Sequence, residues 1–200
     1  MNDQEAPGKP RRKHRRDPEG HRAAILEAAR QSFAERGYAR TTLRDIAQRA
    51  GVTHGLITRH FSSKERLFLA AVPGNRDLER LAAGDPATLP ERIARGFVRR
   101  METDAANDPL VALLRSAASD ERTAAHLLAA MQESSRTVYR SVLSDMSGDD
   151  VDTRVAFLGS HLIGITFSRY IARTEPLASM PPEQLTGHLT RTLRHILFDA

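Results

Sequence analysis

The chain has no cysteine among its 200 residues. That absence removes disulfides, thiolate metal ligands and a thiol nucleophile together, and it fits a reducing compartment. No apolar run approaches the roughly 20 residues that cross a bilayer. The opening MNDQEAPGKPRRKHRR also lacks the apolar segment of a secretory signal. A soluble cytoplasmic protein with no membrane partner is expected. Strand alternation with hairpin signals is missing, as are a fixed-period repeat, a phosphate-binding glycine loop and a nucleophile elbow. Asp149, Asp150 and Asp152 cluster without a histidine at metal-ligating spacing, and a helix N-terminus explains them. His188 and His195 are too far apart in sequence for a one-turn chelating pair. Catalysis, a metal and a cofactor are therefore not expected.

Lysine is scarce as well. Lys9, Lys13 and Lys64 are the whole complement, and all lie in the front third. Residues 1–72 hold 15 Lys+Arg against 8 Asp+Glu, net +7, while residues 73–200 hold 15 against 17, net −2. Arginine-rich composition alone does not concentrate charge at one end, so a polyanionic partner for that end is expected.

What is present is helical punctuation. Residues 1–16 carry no apolar periodicity and read as a disordered basic arm, which lies along phosphates, enters the minor groove or only steers encounter. Asp17-Pro18 supplies a cap and a first-turn proline for a helix whose stripe Ile25, Leu26, Ala29 and Phe33 stops at Gly37. Thr42 caps a second helix with Leu43, Ile46, Ala47 and Ala50 inward. Gly51 permits a tight turn, Val52 packs inward and Thr53 caps a third helix running to about His60. Ser62 and Glu65 stand in capping-box spacing for a fourth, which presents Leu67, Phe68, Ala71 and Val72. Longer amphipathic stretches follow at about 89–106, 109–118, 120–146, 150–174 and 182–198. The chain reads as all-α, with the arm, a unit at 17–72 and a second unit at 73–200.

Two short helices about a glycine turn form a helix-turn-helix, in which the second helix enters the major groove of DNA. Such a helix turns Leu56 or Ile57, then Phe61, inward and directs His54, Gly55, Thr58, Arg59 and His60 outward. Arg59 either bridges guanine O6 and N7 or grips a phosphate. Thr42, Thr53, Arg44 and Lys64 fit backbone contact at helix N-termini. Taken singly the threonines are ordinary caps and the arginines a solvated face; their joint occurrence favours DNA.

The segment ILEAARQSFAERGYARTTLRDIAQRAGVTHGLITRHFSSKERL, within 22–72, resembles the DNA-binding domain of the TetR family of bacterial transcriptional regulators. The resemblance implies a three-helix DNA head, an all-α effector domain and a homodimer on a palindromic operator, usually repressing. It carries groove and phosphate contacts onto Thr42, Arg44, Thr53, His54, Gly55, Thr58, Arg59, His60 and Lys64. One departure is Thr58, where many members have a tyrosine that reaches the backbone.

Val151, Val155, Leu158, Leu162 and Ile165 alternate at intervals of four and three, the seam of a helix on a nearly parallel partner. With Leu185, Leu189, Leu193, Ile196 and Leu197 they form either a subunit bundle, as the resemblance implies, or the protomer core. For a small-molecule pocket the larger candidates are Phe97, Met101, Leu114, Met131, Tyr139, Phe167 and Tyr170, with Arg115, His126 and His161 as polar anchors. Segments 109–128 and 162–185 resemble the C-terminal domain of a subgroup of these regulators. Two other readings stay open: an architectural DNA-binding protein without effector, and a protein-interaction module with a decayed helix-turn-helix.

Overall fold

The computed structural model describes residues 18–72, 80, 83–117, 120–143 and 148–198. The basic arm and Asp17 lie outside the described residues. Every regular element among those residues is helical.

Helix α1 (Pro18–Arg40) starts on its proline, and its geometry breaks at Gly37, where φ is 73°. Glycine tolerates that left-handed value without the Cβ clash that other residues meet. The break turns Tyr38 back onto Phe33 and Phe68, with ring centroids 5.8 and 5.3 Å away. Thr41 then disappears into the fold, its hydroxyl 3.0 Å from the Ser32 carbonyl and 2.8 Å from that of Gly37. Of the adjacent threonines, one is a buried strut and the other a cap.

Helices α2 (Leu43–Ala50), α3 (His54–Phe61) and α4 (Lys64–Ala71) complete the head. Ile46, Ala47, Ile57, Phe61, Leu67 and Phe68 close a core with Ile25, Ala29 and Phe33 of α1. Each fully buried aliphatic side chain there contributes about 1.5–3 kcal/mol of transfer free energy. Gly51 takes φ 66°, and its N–H caps the end of α2.

One cap differs from the sequence expectation. Ser63, not Ser62, opens α4, its Oγ accepting from the Arg66 N–H at 3.1 Å. Ser62 is used to end α3 instead, at φ 62°, with its N–H donated to the Thr58 carbonyl at 2.9 Å. A residue that reverses the chain cannot also cap the helix beyond it.

The body comprises α5 (Leu89–Asp104), α6 (Pro109–Ser116), α7 (Glu121–Val142), α8 (Gly148–Ile165) and α9 (Pro182–Phe198). Leu110, Leu113, Ala124 and Leu127 from α6 and α7 join the head's core, so head and body share apolar packing. A second core holds Leu89, Ile93, Phe97, Met101, Tyr139, Val151, Val155, Leu158, Leu185, Leu189, Leu193 and Leu197.

This second core takes up most of the expected subunit seam. Val155, Leu158, Leu185, Leu189 and Leu193 are buried within the protomer, and Leu162, Ile165 and Ile196 pack against them. The five buried side chains have no surface to offer a second copy, while Leu162, Ile165 and Ile196 stay half-buried. The outer face of α8 and of the turn that follows it lies two positions on, at Phe157, Ser160, Gly164 and Phe167, with Phe157 63% and Phe167 51% exposed.

The helix expected over 150–174 keeps α geometry only to Ile165, then widens into a π-helical turn, Thr166–Ile171. Arg169 in that turn is buried, paired with Glu102 of α5 at 2.9 Å and hydrogen-bonded to the carbonyls of Leu177 and Ala178. No helix among the described residues is long and apolar enough to cross a membrane.

Candidate nucleic-acid interface

The outward face of α3 is set by what its inward face buries. Ile57 and Phe61 go into the core and Leu56 is half-buried, so Ile57 is the inward residue of that pair. His54, Gly55, Thr58 and Arg59 are left exposed, and His60 is half-buried beside Phe61. A Cβ on Gly55 would meet no atom within 4 Å, so internal packing does not require glycine there. What it gives is a bare strip of helix backbone facing outward.

The caps are closed. Thr42 and Asp45 form a reciprocal box: the Thr42 N–H donates to Asp45 Oδ2 at 3.1 Å, and the Asp45 N–H to Thr42 Oγ1 at 3.2 Å. Hydrogen bonds from the Thr42 hydroxyl and N–H hold the Asp45 carboxyl below its ordinary pKa. Thr53 Oγ1 accepts from the Leu56 N–H at 3.3 Å. Thr58 donates its hydroxyl to the His54 carbonyl at 3.2 Å, which draws this short side chain back along its own helix.

The arginines divide into two kinds. Arg49 is held by Glu35 at 2.8 Å and Arg36 lies 3.7 Å from Asp45, so these cations are neutralised within the head. Arg44 and Arg59 are exposed and make no ion pair among the described residues. Lys64 is intermediate. Its ammonium donates to the carbonyls of Tyr38 at 2.9 Å and Thr41 at 3.0 Å and lies 4.2 Å from the Tyr38 ring centre, and burial lowers its pKa. Two of its three donors are committed inside the protein.

Residues 25–71 match the family model described as bacterial regulatory proteins, tetR family, and residues 87–197 match the tetracyclin repressor-like C-terminal domain. The chain belongs to the TetR family of transcriptional regulators. This TetR-family chain is 44% identical over 88 residues to the HTH-type transcriptional repressor Rv3405c of Mycobacterium tuberculosis, covering 43% of this chain and 47% of that one. It is 49% identical over 59 residues to the regulator TtgR of Pseudomonas putida, covering 30% and 28%. The chain thus spans about half the length, or less, of the curated relatives it matches. A solved TetR-family regulator from Streptomyces coelicolor is 30% identical, with 93% of this chain and 99% of that one covered at a TM-score of 0.62. GusR of Salmonella enterica, 20% identical at a TM-score of 0.57 over 90% and 97%, shares the fold.

A partly open cavity of about 590 Å³ lies between the body and the head of this TetR-family chain. Of the expected pocket residues, Phe97, Met131 and Tyr139 line it. Met101 faces the second core, Leu114 packs at the head's core and Phe167 points outward, so these three do not. Among the expected polar anchors, His126 pairs with Glu65 of α4 at 3.2 Å, and half-buried His161 has its pKa lowered by burial. Arg115 lines a separate hollow beside the end of α1, and Tyr170 donates its hydroxyl to Glu102 at 2.7 Å.

Sequence reasoning missed the cavity's wall on the head side. Glu27, Arg30 and Gln31 of α1, Leu69 of α4 and Val72 just after it line the cavity. Arg30 is paired with Glu27 at 2.5 Å, and Gln31 also donates to Glu27 at 2.9 Å. Nothing in α1's own pattern marks these polar residues as cavity wall, because only the docking of the body places them there.

Proposed function

We propose that this protein represses transcription as a homodimer on a palindromic operator and is released by a small molecule held in the body. The exposed, uncommitted face of α3 carries the reading. His54, Gly55, Thr58 and Arg59 meet base edges in the major groove. Arg44 and the N-termini of α2 and α3, at Thr42 and Thr53, meet phosphates. His60, at the end of the recognition helix, and the remaining donor of Lys64 complete the backbone contacts. Thr58 contributes little reach, since its hydroxyl is turned to the His54 carbonyl.

The second copy packs on the face of α8 and the π-helical turn that the protomer leaves open, around Phe157 and Phe167, with Gly164 allowing close approach. Two-fold pairing is required because one eight-residue recognition helix reads too few bases alone.

Release follows from the shared wall. A molecule in the cavity touches α1 and α4 of the head directly, and Arg49 of α2 reaches Gln31 at 3.4 Å. A ligand that fits one disposition of the head better shifts the population toward it by its differential affinity and no more.

Selection of duplexes from a random pool by the full chain, followed by sedimentation of the complex, tests this. The expected result is a palindrome bound by two copies. Recovery of no preferred sequence would leave only a non-specific DNA binder.

A further inference from the structure

Tyr139 carries a group that DNA binding leaves unused. It stands on α7, 1% exposed, in the wall of the 590 Å³ cavity and in one apolar cluster with Ile93, Phe97, Val155 and Leu158. Its hydroxyl has no hydrogen-bond partner among the described residues. The hydroxyl keeps slight solvent contact at the cavity wall, so it is free to donate to a guest. Burial alone raises the phenol's pKa far above its ordinary value, so it remains a proton donor at working pH.

Most charged groups of the cavity are occupied by one another, and the exceptions, Arg99 and Asp104, are exposed to solvent. Glu27 accepts from Arg30 and Gln31, Asp108 pairs with Arg100 at 3.2 Å, and Asp104 accepts from Asn107 at 2.9 Å. Ser135 returns its hydroxyl to the Met131 carbonyl at 3.0 Å. Glu27 and Asp108 are paired with arginines and Asp104 stands in solvent, so a cationic guest finds no free counter-charge at the buried end. An anion at the Tyr139 end would exchange its hydration for a single neutral donor among aliphatic side chains, which is unfavourable.

We propose that the cavity takes a neutral, largely apolar molecule whose hydrogen-bond acceptor, an ester, ketone or amide carbonyl, is held by the Tyr139 hydroxyl. This rests on the effector reading for its biological use, but not for its chemistry. The volume falls in the range of sites that enclose a drug-sized ligand.

Four probes of one chain length separate the chemistries: methyl decanoate, decanoic acid, decylamine and decane. Their binding to the full-length protein and to Tyr139→Phe is measured by calorimetry. The ester binds tightest to the wild type, and Tyr139→Phe weakens it roughly threefold to tenfold, the worth of one neutral hydrogen bond. Decane binding is unchanged by the substitution. Because the lost hydroxyl had no partner, the melting temperature of Tyr139→Phe without ligand is equal to or above the wild type's.

Tighter binding of the acid or amine, ester affinity indifferent to Tyr139→Phe, no binding of the ester, or a lowered melting temperature would each overturn the assignment. Operator affinity is read in the same samples. Tyr139-dependent ester binding that leaves operator affinity unchanged would sink effector release and keep the ligand class. Release by decanoic acid rather than the ester would do the reverse.

Discussion

The Lys64 ammonium is held between the Tyr38 carbonyl at 2.9 Å and the Tyr38 ring at 4.2 Å, so one residue of α4 clamps the broken end of α1. A hydrogen bond to a charged group contributes about 1.5–3 kcal/mol in general, and partial exposure places this one toward the lower end. Lys64→Met, which keeps the stem and loses the donors, is expected to destabilise the head by about 1–2 kcal/mol. It also weakens DNA binding for every sequence alike. Urea unfolding beside fluorescence anisotropy separates the two effects; a loss of affinity at unchanged stability would make Lys64 a pure phosphate contact.

The junction of α3 and α4 gives a paired test. Ser62 sits at φ 62°, where glycine is at ease, and Ser63 caps α4. Ser62→Gly is expected to leave stability unchanged or raise it slightly, whereas Ser63→Ala lowers it by about 1 kcal/mol. Thermal melts of the two variants decide it, and the opposite order would restore Ser62 as the cap.

Adjacent residues on α8 should behave in opposite ways. Leu158 lies in the core and Phe157 outside it. Leu158→Ala is expected to cost about 2–5 kcal/mol of stability. Phe157→Glu with Phe167→Glu should leave a folded protomer that sediments as a monomer. A dimer that survives the double substitution would place the subunit contact elsewhere.

That pair also shows where the sequence stops being sufficient. A four-and-three repeat at Val151, Val155, Leu158, Leu162 and Ile165 identifies a helix with an apolar seam, and α8 is that helix. The repeat does not say whether its partner is the same chain or another. The outer face, two positions on and about 200° round the helix, carries a glycine and two phenylalanines but no unbroken stripe. The head was more legible because its signals are local: Gly51 must take a positive φ, and Thr42 and Thr53 each bond a backbone N–H three residues away. The ion pairing of the arginines depends instead on packing. Arg49 and Arg59 are alike in sequence context, yet α1 brings Glu35 to the first and nothing to the second. The head-side cavity wall and the Arg169–Glu102 pair, 67 residues apart in sequence, were illegible for the same reason.

The central claim is that the outward face of α3 reads sequence while Arg44 grips the rails. Binding of wild type, Arg59→Ala and Arg44→Ala across a randomised operator library, at several salt concentrations, tests it most directly. Arg59→Ala should cost about 1–3 kcal/mol on the preferred operator and relax selection at one base position. Arg44→Ala should weaken all sequences alike and reduce the salt slope by about one. Unaltered sequence preference in Arg59→Ala, together with unaffected DNA retention in Arg44→Ala, would contradict the account.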